Sequence, residues 1–173
     1  PTNGLDAFGE ENLKIKNGLS LSQCLERYLD ARRSVLLFSK GVILVEGDGE
    51  EILLPSMVKK SLGISLDEIG IGLINIGSVS FEYVASLFDP NRLQRHCAIV
   101  TDYDNILDGA ERCSTKAATL GRNRKEKLTR LYADNPWVDA YYAQYTFEVE
   151  FAKEEKNRQY IEKVIENYYV QHR

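Results

Sequence analysis

Apolar residues along the chain follow two alternating patterns. Short runs rich in β-branched residues predict strands buried on both faces, as in a parallel sheet; these runs are residues 41–45, 71–77 and 97–104. Apolar residues at helical spacing predict helices between them, at residues 48–62, ending at Gly63, and at residues 79–88. Strand and helix alternate at intervals of about 25 to 30 residues, which is typical of βαβ units. The pattern therefore predicts an α/β fold.

Helical patterns also flank this region. A helix that begins at Ser20 or Ser22 and ends near Gly41 is expected to lead into the first strand. After the third strand the pattern predicts a basic helix near residues 115–133, a strand at 137–143 and helices from about 147 to 170. We therefore expect a mostly parallel central sheet flanked by helices, with extra C-terminal helices.

Composition is that of an ordinary globular domain. The 173 residues are 43% apolar, which suffices for one core; we expect a polar segment over residues 1–18 and one domain over residues 19–173, as part of a longer protein. The net charge of −4 argues against a protein that coats nucleic acid through bulk positive charge. No signal peptide and no apolar stretch of membrane-spanning length occurs, so a cytoplasmic location is predicted.

Acidic side chains follow two of the predicted strands. Glu46 ends the first strand, and Glu50 lies in the first turn of the next helix. Asp102 and Asp104 end the third strand and would point to one side in extended geometry. Because the carboxyl ends of consecutive parallel strands share one edge of a sheet, we expect these four carboxylates to converge.

A group of converging carboxylates is unfavourable unless a cation lies among them. Carboxylate oxygens without histidine or cysteine nearby suit Mg²⁺ or Mn²⁺ rather than zinc or copper. Two such ions about 4 Å apart stabilise the attacking and leaving oxygens in phosphodiester hydrolysis. Each of these acids taken alone is more often a helix-dipole partner or a turn residue, so the combination carries the prediction of a metal site.

The residues around these acids resemble a known family. "VILVEGDGEEILLP", followed by "CAIVTDYD", is similar to the Toprim domain, which has a glutamate in a strand-Glu-Gly turn and an Asp-x-Asp after a later strand. Together with "LINIGS" and "TFEVEF", these segments resemble the sequences of the OLD family (overcoming lysogenization defect) of ATP-dependent endonucleases. The resemblance spans roughly residues 20 to 150 and implies a Rossmann-like Toprim fold and DNA cleavage by two Mg²⁺ or Mn²⁺ ions.

The resemblance also implies roles for particular residues and partners. It makes Glu46, Glu50, Asp102 and Asp104 catalytic residues and metal ligands, and adds Thr146 and Glu148 as metal ligands. It implies DNA as the substrate and an N-terminal ABC-type ATPase domain in the same full-length protein. A homodimer and a role in DNA repair or phage defence stay open. Glu46 could also act as a general base.

The sequence departs from the family pattern in two respects. No G-x-x-x-x-G-K-[ST] phosphate loop occurs, so the ATPase half is not contained in this chain. OLD-family nucleases also carry a catalytic lysine beyond the Thr-x-Glu segment, and this role cannot be assigned to Lys153, Lys156 or Lys163. We therefore expect weak cleavage by the chain alone.

The densest basic stretch covers residues 112–130. It favours either phosphate contacts with DNA or a solvated helix face, and both interpretations stay open. Its cations are Arg112, Lys116, Arg122, Arg124, Lys125, Lys127 and Arg130, of which Arg122, Arg124, Lys125 and Lys127 are the predicted DNA-binding residues. The aromatic residues Trp137, Tyr141, Tyr142 and Tyr145 are expected to pack rather than to stack on bases, and His96 is expected at a strand entrance.

The sequence is compatible with two alternative functions. The same fold serves strand passage and priming in Toprim topoisomerases and primases, which would require a partner domain. A doubly wound sheet with an acidic pocket is also found in non-catalytic, receiver-like regulatory modules. The spacing of Glu46 and Glu50 across a helix turn fits the receiver scheme poorly.

Overall fold

Seven helices and four strands are present in the described part of the chain. The structure is a computed structural model, and it describes residues 34–77, 80–105 and 112–171. Its helices are α1 (Ser34–Phe38), α2 (Asp48–Leu62), α3 (Leu66–Ile69), α4 (Phe81–Ala85), α5 (Arg112–Tyr132), α6 (Phe147–Lys153) and α7 (Glu155–Gln171). Its strands are β1 (Gly41–Val45), β2 (Ile71–Asn75), β3 (His96–Asp102) and β4 (Val138–Ala143). The helix expected before residue 34 and the side chain of Arg112 lie outside the described residues.

The four strands form one parallel sheet in the order β2-β1-β3-β4. β1 pairs with β2 on one side and with β3 on the other, so that Gly41 is opposite both Ile71 and His96. The chain therefore leaves β1 towards one edge of the sheet and later returns to its other side. This reversal is the topological switch point at which open α/β sheets form their binding crevice.

The core lies between this sheet and the helices on its faces. Leu44 and Ile99, from the two central strands, are completely buried. Phe88, which follows α4, and Leu128 of α5 pack into the same cluster. Burying side chains of this size stabilises the fold by about 1.5–3 kcal/mol each. The packed core holds the carboxyl ends of β1 and β3 side by side.

The α/β fold predicted from the apolar pattern is confirmed, and its element boundaries differ by a few residues. α2 and its end at Gly63 agree with the prediction, and the helix continues through Pro55. The third strand ends at Asp102 rather than at residue 104. The predicted C-terminal helical region is divided at Glu154, which has an extended backbone between α6 and α7.

One short helix was not predicted. α3 begins with a capping box, in which Ser65 accepts a hydrogen bond from the backbone of Glu68 and the Glu68 carboxylate accepts one from the backbone of Ser65. The Ser-x-x-Glu spacing is the sequence signal that would have identified it. Among the described residues, no helix is long and apolar enough to cross a bilayer.

Gly121 brings α5 against the end of β3. A Cβ atom placed on Gly121 would lie 2.2 Å from the backbone oxygen of Tyr103. No side chain can be accommodated at that distance without moving α5 or the segment after β3. The absence of a side chain at residue 121 therefore positions the basic helix next to the acidic loop.

We expect Gly121→Ala to destabilise the protein by about 1–3 kcal/mol, because it overpacks this contact. Helix propensity alone would give the opposite sign, a gain of about 1 kcal/mol. Urea denaturation measures the change. The exposed Thr119→Ala substitution on the same helix is the control, and a stabilised Gly121→Ala protein would contradict the close approach.

Candidate metal centre

The acidic stretch that follows β1 contains four carboxylates with different partners. Glu46, the first, forms an ion pair with Arg124 of α5, with Nη1 and Oε2 3.2 Å apart. Thr101, which is 1% exposed, donates a hydrogen bond to the same carboxylate oxygen at 3.4 Å. Arg124 also donates to the Thr101 hydroxyl at 2.8 Å and to the backbone oxygen of Asp102 at 3.2 Å. Arg124 therefore ties α5 to the carboxyl ends of both central strands.

Two more of these acids are bound by the end of β2. The side-chain amide of Asn75 donates to Asp48 at 2.8 Å and to Glu51 at 3.1 Å. Both carboxylates lie in the first turn of α2, where the helix dipole favours negative charge. Asp48 and Glu51 therefore have a structural role.

Glu50 differs from its neighbours because it is buried. It is only 6% exposed, and it forms no ion pair with any described residue. Burial raises the pKa of Glu50, with smaller contributions from the carboxylates of Glu148 and Glu46, against a lowering by its own backbone amide. An anionic carboxylate in such a position requires a cation that the described protein atoms do not supply.

Asp102 ends β3 next to Glu50. The pKa of Asp102 is raised from 3.8 to about 7, mainly by burial and to a smaller extent by the charges of Glu50 and Asp104, against a lowering by the backbone amide of Phe147. Asp102 is consequently close to half protonated at neutral pH when no metal is bound. Two carboxylates with raised pKa values thus lie side by side at the switch point, which is typical of functional sites.

Glu148 of the Thr-x-Glu segment approaches the same edge from α6. Its charge raises the pKa of both Glu50 and Asp102. One of its carboxylate oxygens would lie 3.5 Å from a Cβ atom placed on Gly49, so α6 packs against the first turn of α2. Thr146 caps α6 by accepting a hydrogen bond from Val149 at 3.4 Å.

The geometry at Asp104 differs from the extended form expected from the sequence. The strand ends two residues earlier, and the backbone φ of Asp104 is 55°, in the left-handed region. A non-glycine residue there is uncommon, although aspartate tolerates it better than most residues. The two aspartates are therefore not on one face of a continuous strand, yet the Asp104 charge still raises the pKa of Asp102.

The carboxylate oxygens are of the type that binds a hard divalent cation, but they do not converge on one point. Within residues 34–77, 80–105 and 112–171, no three histidine, cysteine or acidic side chains are grouped closely enough to hold an ion. Glu46 in particular is bound to Arg124. The oxygen-only chemistry of Glu50, Asp102 and Glu148 suits Mg²⁺ or Mn²⁺. Binding an ion would therefore require side-chain rotations.

The predicted DNA-binding cations lie on two faces of α5. Arg124 and Lys127 line a cleft that also contains Glu46 and Glu82, and Lys127 is ion-paired with Glu82. Arg122 and Lys125 line a different groove, on the side of Tyr103. The sequence interpretation treated them as one group, because it identified the basic helix but not which neighbours each face meets.

The remaining predicted residues are distant from the acidic edge or bound elsewhere. His96 lies at the amino end of β3 against Trp137, with ring centroids 5.2 Å apart, as expected. Lys153 pairs with Glu150 at 2.9 Å and lies over the Tyr145 ring. No described contact connects Lys153 to the carboxylates of the candidate site.

Sequence reasoning did not identify two residues that organise the site. Thr101 connects Arg124 with Glu46, and Asn75 binds the first turn of α2. Each is a polar residue in the last two positions of a buried strand, at the edge where the acids lie. A polar residue that ends an apolar run was the available signal.

Comparisons with known proteins concern the fold and the family of the chain. Residues 37–104 match the family described as overcoming lysogenization defect protein-like, TOPRIM domain. The chain is similar to the C-terminal region of the Burkholderia pseudomallei OLD protein, at 27% identity and a TM-score of 0.50, over 67% of this chain and 59% of that one. The corresponding region of the Xanthomonas campestris pv. campestris OLD protein is 23% identical, with a TM-score of 0.44, over 69% and 57%.

The family match and the Burkholderia pseudomallei structure confirm the resemblance to an OLD-family Toprim domain. The chain spans less than two thirds of the solved OLD regions that it resembles. No curated protein matches it significantly. Functional assignments for the whole protein therefore depend on the site itself.

The stability of the metal-free protein is expected to fall as pH rises from about 4 to 7. Over this range the folded state keeps the Asp102 proton, since its pKa is raised from 3.8 to about 7, whereas the unfolded state loses it. Asp102→Asn removes the titrating group and should stabilise the protein above pH 7. We expect a gain of about 1 kcal/mol rather than the full linkage value, because partial exposure screens the charge.

Urea denaturation in a metal chelator between pH 5 and 8 measures this effect. The control is Asp139→Asn on β4, where the carboxylate is exposed, and the pH profile of that variant should follow the wild type. Parallel profiles for Asp102→Asn and wild type would show that the raised pKa of Asp102 is wrong.

Proposed function

We propose that the chain, of which residues 37–104 match the OLD-like TOPRIM family, is the nuclease module of a larger protein and hydrolyses DNA phosphodiesters with Mg²⁺ or Mn²⁺. The observation that carries the proposal is Glu50, a buried carboxylate without a cationic partner among the described residues, next to Asp102 and Glu148. Structural acids are normally paired or solvated. An unpaired buried acid at a switch point is the feature that a bound cation explains.

Glu50, Asp102 and Glu148 are the residues that would hold the metal, and Glu46, Asp104 and Thr146 would be further oxygen donors. When bound, divalent ions would supply Lewis-acid activation of water and charge stabilisation on the phosphate. These carboxylates would provide enough ligands for two ions. The residues of the chain supply the negative charge that concentrates such ions at the edge of the sheet.

The raised pKa of Asp102 makes metal binding dependent on pH in this proposal. Its pKa of about 7 means that a metal ion must displace a proton in order to bind at neutral pH. Metal affinity should consequently weaken as the pH falls below 7.

Arg124 is proposed to position Glu46 and the end of β3. Its guanidinium contacts the Glu46 carboxylate, the Thr101 hydroxyl and the Asp102 backbone oxygen. These three contacts fix the spacing between the carboxyl ends of the central strands. General-base action by Glu46 has less support, because its carboxylate already accepts from both Arg124 and Thr101.

The wider assignment follows from the family. Within a full-length OLD-type protein we propose that an N-terminal ATPase domain controls this module and that the protein acts on DNA in the cytoplasm. Strand passage or priming would need a partner domain, and a receiver-like regulator would bind Mg²⁺ without cutting DNA. Cleavage assays separate these alternatives.

We expect Mn²⁺-supported nicking of supercoiled plasmid that is weaker with Mg²⁺ and unaffected by ATP. Glu50→Gln and Asp102→Asn should each lower the rate by about a hundredfold or more, because each removes a preorganised charge. Gel electrophoresis of nicked circles measures the rate. Glu150→Gln is the matched control, since Glu150 lies two residues from Glu148 on α6 but is bound to Lys153.

Equal cleavage by wild type, Glu50→Gln and Asp102→Asn would refute the assignment of the site. Loss of cleavage in Glu150→Gln as well would indicate general damage to α6. Metal binding without any cleavage in the wild type would favour the receiver-like alternative.

Metal binding is expected to raise the melting temperature of the wild type. An ion at a hundred times its Kd stabilises the folded state by about 2.7 kcal/mol, which is roughly 5–10 °C for a domain of this size. Glu50→Gln should reduce the shift while raising the metal-free melting temperature, because it removes a buried charge. Differential scanning calorimetry with Mg²⁺, Mn²⁺ or Ca²⁺ tests this, and an unmoved wild-type transition would contradict it.

A further inference from the structure

The cations of α5 differ in whether they already have an acidic partner. Arg124 and Lys127 both face the cleft of about 350 Å³ that contains Glu46 and Glu82, and each forms an ion pair there. Their charges are therefore compensated within the protein. A DNA phosphate at either residue would have to compete with a carboxylate.

The opposite face of α5 forms a groove of about 530 Å³ with uncompensated positive charge. Its lining includes Tyr103, Arg122, Lys125, Thr129 and Arg130, with Glu126 as the one acid. None of the three cations forms an ion pair with a described residue. Three positive charges thus face a groove that holds one negative charge.

Tyr103 connects this groove to the candidate metal centre. It lies between Asp102 and Asp104 in the sequence, and its backbone oxygen contacts α5 at Gly121. The Nζ atom of Lys125 lies 5.0 Å from the centroid of the Tyr103 ring and 5.3 Å from that of the Tyr142 ring. The groove therefore begins at the same loop that carries the two aspartates.

We propose that this groove, lined by Tyr103, Arg122, Lys125, Thr129 and Arg130, binds the phosphodiester backbone of the DNA strand next to the bond that is cut. The inference rests on the proposed nuclease function and specifies which face of the basic helix the substrate uses. Lysine and arginine side chains contact backbone phosphates without reading sequence. Continuity with the acidic loop favours a strand that passes from the groove to the metals.

The aromatic rings contribute by holding Lys125 in place. Two rings within about 6 Å of an ammonium group attract it through cation–π interaction and limit its motion. A lysine restrained in this way loses less conformational entropy when it binds a phosphate. The tyrosine between the two aspartates thereby couples the phosphate contact to the candidate metal centre.

Binding of a fluorescein-labelled DNA duplex, measured by anisotropy in EDTA, tests the proposal separately from cleavage. Arg122→Gln and Lys125→Gln should each weaken binding by roughly tenfold at low salt. Each should also make the slope of log K against log salt shallower by about 0.9. Lys127→Gln is the matched control, since it removes the same charge from the same helix at the face bound to Glu82, and its affinity and slope should stay near those of the wild type.

Equal losses in Lys127→Gln and Lys125→Gln would overturn the proposal in favour of general attraction to the helix. Competition by polyglutamate as effective as by unlabelled duplex would also overturn it, in favour of an acidic peptide ligand. If the groove variants lose binding but the wild type never cuts DNA with Mn²⁺, the DNA-binding role of the groove is supported and the nuclease function is refuted. If the wild type cuts DNA and the groove variants bind it normally, the DNA-binding role of the groove is refuted and the nuclease function is supported.

Discussion

The parallel pairing of β1 with β3 is the constraint on which the rest of the structure depends. It places the carboxyl ends of two apolar strands next to each other at the topological switch point. Glu46, which follows β1, and Asp102, the last residue of β3, must then be neighbours, and the first turn of α2 adds Glu50 to the same edge. Repulsion among these acids cannot be avoided by local rotation alone, because the core fixes the backbones that carry them.

The protein compensates this repulsion for some of its acids and leaves others uncompensated. Arg124 binds Glu46, and Asn75 binds the two acids of α2 that face β2. Glu50 and Asp102 receive no comparable cation from the part of the chain that the structure describes, and both have raised pKa values. The same sequence stretch therefore contains acids that stabilise the fold and acids that destabilise it without a ligand. This difference is what separates the candidate ligands from the structural acids.

Features that depend on neighbouring residues could be predicted from the sequence, whereas features that depend on contacts between distant residues could not. The strands, α2 and the Asp-x-Asp position depend on local apolar pattern, and they were predicted to within a few residues. The partner of Arg124 depends on how α5 packs across β3, which is a long-range contact without a local signal. The left-handed backbone at Asp104 is likewise set by the turn after β3 rather than by residue type. Both features had to come from the structure.

The division of α5 into a paired and an unpaired face has the same physical origin. Adjacent cations on a helix differ by about 100° in direction, so Arg124 and Lys125 meet different neighbours although they are consecutive in sequence. Gly121 removes the side chain that would keep the helix away from Tyr103, and this close approach decides which cations face the acids and which face the groove. One side of the helix is thereby used to fix the acidic edge. The other side keeps its positive charge available for a polyanion.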